Sequence, residues 1–394
     1  MPEHVGIGPV FPSRRATLVA LIAFCVTCTS GEEDPQAREL PVGTPISIAA
    51  QAKLSVGVVE GDTIQEFDRV VTPFLLPDGR LVVPVAGASA IRMFDEQGDL
   101  VASFGRAGAG PGEFRSLTAA WSRGDTIEAL DSRLDRITRF LPGGLVEVVA
   151  LRSEVRDLSG VAGPAADGWI AGGVAAGDVG RRDSVVLHWF DRSGADRGAV
   201  GTTEGYARYR TPFLTGPEPL SPRAVLQVGL DRAYVAESLT PRIRVLTPAG
   251  TLEREILWQA EPPASSPDVF RVVVDSAVRR TRPDRAAALR RHLEAAVTPD
   301  RLSVFWKFIV DDHGFIWIRP FEPLQHAAAL GGLSLAGGGP GGRWSVLSPE
   351  GEPLGTVDVP AGLEILQITS NRVVGIARDA QGVEFVRVHA LERR

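Results

Sequence analysis

Five basic residues stand immediately before, or at the start of, short apolar runs. They are Arg69 in Phe67-Asp68-Arg69, Arg115 in Glu113-Phe114-Arg115, Arg156 in Val155-Arg156-Asp157, Arg223 in Pro222-Arg223, and Lys307 after Trp306. Guanidinium groups grip carboxylate or phosphate bidentately, and several cations brought to one rim focus positive potential. The chemistry such a set can do is anion recognition. The plain alternative is local pairing: arginine is the default cation of a chain whose only lysines are Lys53 and Lys307, and Asp68, Glu113 and Asp157 are immediate neighbours.

Other reactive residue types are sparse. The histidines are His4, His188, His292, His313, His326 and His389, and no two are spaced as a short metal-binding pair. Asp311-Asp312-His313-Gly314 gathers oxygen and nitrogen donors, but it reads first as a solvated hairpin turn. No zinc site appears by spacing. No metal site is expected, and no cofactor. No Gly-x-Ser-x-Gly elbow marks a serine nucleophile. The glycine-rich stretch Gly105 to Gly112 superficially resembles a phosphate loop, yet it lacks the Gly-Lys-Ser/Thr ending and a following helix. Its spacing suits a tight crossing between strands. The net charge of −6 gives no basic field for nucleic acid.

The N-terminus reads as an export signal over residues 1–28, followed by a polar tether over 29–45. Arg14-Arg15 precede an apolar run, Ala16 to Val26, too short to span a bilayer as a helix. The only cysteines, Cys25 and Cys28, close that run. The segment resembles a bacterial lipoprotein signal in which Cys28 is the candidate lipid anchor. It departs from that pattern in having Cys25 and Thr27 where leucine and a small residue are usual. The folded region, 46–394, has no cysteine and must be held by its core. The expected location is the cell envelope or periplasm.

Internal repetition decides the architecture. A turn ending in glycine returns at Gly98, Gly144, Gly194, Gly250 and Gly351, at intervals of 46, 50, 56 and 101 residues. A second turn precedes each hairpin, as in Pro77-Asp78-Gly79-Arg80, where glycine takes positive φ without a Cβ clash. Each repeat therefore reads as four short strands, and the first three intervals suit propeller blades. Six repeats are expected: 67–105, 114–152, 155–201, 223–258, 302–360 and 361–391. The sixth is one strand short, and Ala52 to Val59 is the natural fourth. Closure with strands from both ends removes open sheet edges.

Pro77-Asp78-Gly79-Arg80, Phe94-Asp95-Glu96-Gln97-Gly98 and the crossing from Phe104 to Phe114 carry a resemblance to six-bladed β-propellers of the NHL-repeat kind, exported and mostly uncharacterised bacterial proteins. The resemblance covers roughly residues 46 to 391. It implies an all-β fold of six four-stranded antiparallel blades. Its relatives range from protein-binding scaffolds to lyases and lactonases.

One region breaks the β pattern. Ser266-Pro267-Asp268 has a capping serine, a first-turn proline and a dipole-favoured acid. Apolar residues from Val269 to Val278 then recur at helical spacing, and a second helix is expected from Pro283 to about Val297. This predicts a small α-helical insertion, about 266–298, between blades four and five and over one face of the ring. Its arginines, among them Arg279, Arg285 and Arg290, suit an acidic partner or anionic head groups, or simply a solvated face. Leu330 to Gly342 is expected to form a glycine-rich loop within blade five.

The functional expectation is a binding module at the envelope, a monomer, taking an anionic small molecule or an envelope protein at the mouth of its channel. The alternative is a lactonase- or lyase-type enzyme with a divalent metal in the channel, which would require acids, asparagine or histidine to converge there.

Overall fold

The computed structural model describes residues 45–61, 64–153, 158, 161–175, 181–210, 215–217, 220–279, 282–295, 300–323, 341–379 and 381–393. Among the described residues the first strand is β1 (Ile46–Val56), whose partner lies at the far end of the sequence. Blade one follows as β2 (Phe74–Leu75), β3 (Leu81–Val85), β4 (Ala90–Phe94) and β5 (Leu100–Phe104). Blade two is β6 (Leu117–Arg123), β7 (Thr126–Asp131), β8 (Arg136–Leu141) and β9 (Gly144–Ala150). Blade three is β10 (Val161–Ala165), β11 (Gly168–Ala175), β12 (Arg182–Phe190), β13 (Asp196–Arg210) and a fifth strand, β14 (Thr215–Pro217). Blade four is β15 (Ala224–Gly229), β16 (Arg232–Glu237), β17 (Arg242–Leu246) and β18 (Leu252–Leu257). Helices α1 (Pro267–Arg279) and α2 (Pro283–Glu294) intervene. Blade five is β19 (Phe305–Val310), β20 (Ile316–Pro320), β21 (Gly342–Leu347) and β22 (Pro353–Val359). Blade six is β23 (Leu363–Ile368), β24 (Arg372–Arg378) and β25 (Glu384–Arg393), completed by β1.

All pairings within the blades are antiparallel, so the fold is the expected six-bladed all-β propeller with its helical insertion between blades four and five. The hairpin chemistry is visible at Asp95-Glu96-Gln97-Gly98. Asp95 Oδ1 accepts from the amides of Gln97 and Asp99 at 3.0 and 2.9 Å, and Gly98 sits at φ +92°, which a Cβ would oppose. The core lies between adjacent blades. Ile91 and Val82 of blade one pack with Ile127 and Phe140 of blade two, and strands such as β3 are buried on both faces, hence their unbroken apolar runs.

Three details differ from the repeat pattern. The closing strand is longer and earlier than Ala52–Val59: Ile46 pairs with Arg393 and Val56 with Val386, with irregularities between Ile48 and Leu54 that break the alternation a sequence reading relies on. Blade three does not end at 201, because β13 runs on to Arg210 and folds back as β14. The second helix stops at Glu294, and the stop expected at Thr298-Pro299 lies outside the described residues. So does the Leu330–Gly342 stretch, apart from Gly341 and Gly342, the latter opening β21.

Candidate functional site

Alternating strand direction gives the ring two ends. At the upper end the first strand of each blade begins and its second strand stops. At the lower end lie the first hairpin turns. Arg69, Arg115, Arg223 and Lys307 all belong to the upper end, and Arg156 lies outside the described residues.

The structure divides the four. Arg69 is exposed, 3.7 Å from an equally exposed Asp68, and its backbone sits at φ +56°. That left-handed conformation is held because Arg69 O accepts from the Ala86 amide at 2.9 Å. The side chain of Arg115 is also exposed, while its amide donates to Asp131 Oδ2 at 2.7 Å. Asp131 is fully buried and also receives the amides of Ser116, Arg133 and Leu134. It cannot serve as a channel acid, because four backbone donors already saturate it. Glu113 does not pair with Arg115; it binds Arg106 at 2.8 Å.

Arg223 and Lys307 are drawn into one cluster with residues the sequence did not single out. The Arg223 amide donates to Ser238 Oγ at 2.9 Å, and Ser238 Oγ lies 2.8 Å from Ser303 Oγ, which clamps blade four to the segment leading into blade five. The Arg223 guanidinium then lies over the Trp306 ring, 3.5 Å from its centroid, and donates to the Trp306 carbonyl. Trp306 also stacks with Phe321 at 6.1 Å and packs in one apolar cluster with Leu220 and with Phe270 and Leu293 of the two helices. The insertion is therefore seated over the upper end of blade five. Its cap forms as the sequence indicates: Ser266 Oγ accepts from the Val269 amide at 3.2 Å.

Lys307 donates to Glu364 and to the Ile365 carbonyl on the inner strand of blade six. Arg319, paired opposite Lys307 in the β19–β20 ladder and 3% exposed, donates to the other Glu364 oxygen at 2.8 Å. Two cations thus share one carboxylate out of bulk water. Burial pushes the Lys307 ammonium below its ordinary value; Glu364 opposes that shift, while Arg319 and Arg223 add to it. Arg319 could be suspected in Trp317-Ile318-Arg319 as a charge inside an apolar strand, and Glu364 likewise in Leu363-Glu364-Ile365. Nothing in the spacing says that the two meet.

The motifs set aside in the sequence prove to be filled by the chain itself. In the glycine-rich crossing the Gly110 amide donates to Glu113 Oε2 at 2.8 Å, so a side-chain carboxylate sits where a phosphate loop would hold its ligand. A Cβ on Gly108 would lie 2.1 Å from that oxygen. Arg136 closes the crossing by donating to the carbonyls of Ala109, Gly110 and Glu113. In the Asp311 turn, Asp311 is buried and receives the Trp317 indole at 2.9 Å, the His313 and Phe315 amides at 3.0 Å each, and Arg393 from the closing strand. Among the described residues no three of His, Cys, Asp and Glu come together as a metal-binding group. Arg290 of the insertion pairs with Asp275 at 2.7 Å and with Glu294 at 3.3 Å, which neutralises part of the helical arginine cluster.

No protein-family model matches the chain, and no curated protein does. Solved structures do match in fold. A protein of Bacteroides fragilis named as exported superposes with a TM-score of 0.50 at 8% identity, covering 91% of this chain and 97% of its own. A member of the DUF4221 family from Bacteroides vulgatus gives 0.50 at 9% identity, covering 89% and 100%. At these identities the likeness concerns fold alone. Virginiamycin B lyase from Staphylococcus aureus reaches only 0.41 at 9% identity over 89% and 100%, a similarity too low to bear on chemistry. Among the described residues no helix is long and apolar enough to cross a membrane.

Proposed function

We propose that this chain is an exported propeller of the NHL-repeat type that binds an anionic ligand at the upper end of its ring, where the helical insertion is seated. The observation that carries this reading is the cluster in which Lys307 and Arg319 share Glu364 while Arg223, held on Trp306, stands close enough to push the Lys307 ammonium further down. Arg223 has no carboxylate within ion-pair distance among the described residues, and the acids beside the other two cations are Glu364 and Glu322. Partly desolvated charge of one sign is costly, and an incoming carboxylate or phosphate would relieve it. Arg69 and Arg115 stand exposed on the same rim. The ligand is a small anion or an acidic segment of an envelope protein, and rigid blades with variable upper loops suit either.

Calorimetric titration of the full chain with citrate and inorganic phosphate tests this. Binding should weaken with added salt and fall at least about tenfold in Arg223→Gln, the loss of one charge-assisted contact. Equal affinity in that variant, or none in the parent, would count against the site. The proposed anchor is tested separately. With Cys28 lipidated, Cys28→Ser should release the protein from the membrane fraction, and unchanged fractionation would exclude it.

A further inference from the structure

The lower end of the ring holds a cavity that is lined by none of Arg69, Arg115, Arg223 and Lys307. It runs along the seam between blades six and one, reaches Ser122 of blade two and Asp312 of blade five, and has a volume of about 850 Å³. That is within the usual range for small-molecule sites, roughly 300–1,000 Å³. The inner strand of blade one, β2, is two residues long, whereas those of blades two, four, five and six have six or seven.

The walls are chemically divided. Leu54, Leu75, Leu76 and Pro77 give an apolar side. Lys53 and Arg372 line the cavity with no carboxylate within ion-pair distance among the described residues, although Arg372 donates to the Asn371 carbonyl at 3.2 Å. Glu96 also lines it, exposed and without an ion pair or hydrogen bond among the described residues. The remaining acid, Asp312, already accepts the Ser370 amide at 2.9 Å and stands 3.7 Å from His313.

Gln367 adds a donor. Its Oε1 accepts the Leu75 amide at 2.8 Å, which orients the side-chain amide across the seam. Its Nε2 has no acceptor among the described residues, and Gln367 lines the cavity. The equivalent side chain between blades four and five behaves differently. Gln227 Oε1 accepts the Val310 amide at 2.8 Å and its Nε2 donates to the Val310 carbonyl at 3.0 Å. One glutamine seals its seam and the other keeps two N–H groups to give.

Opposite charges that line one cavity without closing on each other, beside an apolar wall, complement a molecule that carries both charges on an apolar body. The geometry points to a second ligand site at the lower end of the blade six–blade one seam, for a short apolar peptide or amino-acid-like zwitterion. Its carboxylate is held by Arg372, Lys53 and Gln367, its ammonium by Glu96, and its side chains by Leu54, Leu75, Leu76 and Pro77. This site is separate from the one proposed at the upper end, and neither depends on the other.

The test is calorimetric titration of the full chain with leucyl-leucine, with its N-acetyl form and with its amide. The unmodified dipeptide should bind, and each blocked form should bind at least about tenfold more weakly, the loss of one charge-assisted contact. Arg372→Gln should weaken leucyl-leucine to the level of the amide, and Glu96→Gln to the level of the N-acetyl form. Glu96 is exposed and Arg372 half-buried, and circular dichroism would verify that the variants remain folded; Lys53→Gln replaces Arg372→Gln should that variant not fold. Absence of binding by leucyl-leucine, equal binding of all three compounds, or unchanged affinity in both variants would overturn the proposal. Arg223→Gln, at the other end of the ring, should leave leucyl-leucine binding unchanged.

Discussion

The seam between blades four and five and the seam between blades six and one are built from the same parts and end differently. At the first, Gln227 uses both atoms of its amide on Val310, Ser238 meets Ser303, and Arg223 lies on Trp306 under the helical insertion. At the second, Gln367 uses one atom on Leu75, and an open cavity remains beside it. The residue type is shared and the outcome is not: Gln227 uses both the amide and the carbonyl of Val310, whereas Gln367 takes only the amide of Leu75. A propeller seam can thus be sealed or left open according to whether the side-chain amide that crosses it is fully used.

The largest effect is expected where the open seam depends on a single side chain. Glu384 is buried and accepts the Val70 amide at 2.6 Å and Arg378 at 2.5 Å, tying blade six to blade one. Glu384→Ala leaves the buried Val70 amide without its acceptor and removes a charge-assisted contact to Arg378, and should cost about 3 kcal/mol in urea unfolding. A loss below 1 kcal/mol would show that the seam holds without it.

The glutamine contrast is tested by a matched pair. Gln227→Ala strands both polar groups of Val310 and should cost about 2–3 kcal/mol; Gln367→Ala strands only the Leu75 amide and should cost about 1 kcal/mol. Equal losses would mean that the two seams are energetically alike.

A smaller, pH-dependent effect should come from blade six. His389 is buried, its Nδ1 lies 2.8 Å from the Ala49 carbonyl on the first strand, and its Nε2 has no partner among the described residues. Burial pushes this imidazole below its ordinary value. As pH falls below about 6.5, the unfolded chain takes up a proton that the folded chain resists, so stability drops through that window. His389→Gln should remove this share of the acid sensitivity. A melting profile between pH 7.5 and 5 with the same slope in both proteins would contradict it.

The cap at Ser266 sets the lower end of the scale. Ser266→Ala should lower stability by about 1 kcal/mol. Hydrogen exchange should show the loss confined to the helices; a change spread over the blades would tie the insertion more closely to the ring than its separate apolar cluster suggests.

Much of the ring was legible because its signals are local. Asp95-Glu96-Gln97-Gly98 makes its turn from its own aspartate and glycine, and Ser266-Pro267-Asp268 starts its helix from its own side chains. The fifth strand of blade three was not legible, since β13 and β14 follow a shared register and not a turn motif. Nor was the bulged course of β1, whose pairing partner lies more than three hundred residues away. Of the basic set, sequence position was enough to place Arg69, Arg115, Arg223 and Lys307 at one end of the ring. It could not say that Arg69 and Arg115 stay exposed while Arg223 and Lys307 are gathered inward.

By itself, then, the sequence determined the number of blades, the turns that separate their strands and the place of the helical insertion. Each follows from the spacing of apolar residues and from turn and cap chemistry within a few positions. Only the tertiary structure decided that Lys307 and Arg319 share Glu364, that Glu113 fills its own glycine loop, and that Gln227 seals a seam where Gln367 leaves one open. Those outcomes depend on which side chains the closed ring brings face to face across neighbouring strands, and a linear spacing carries no record of that.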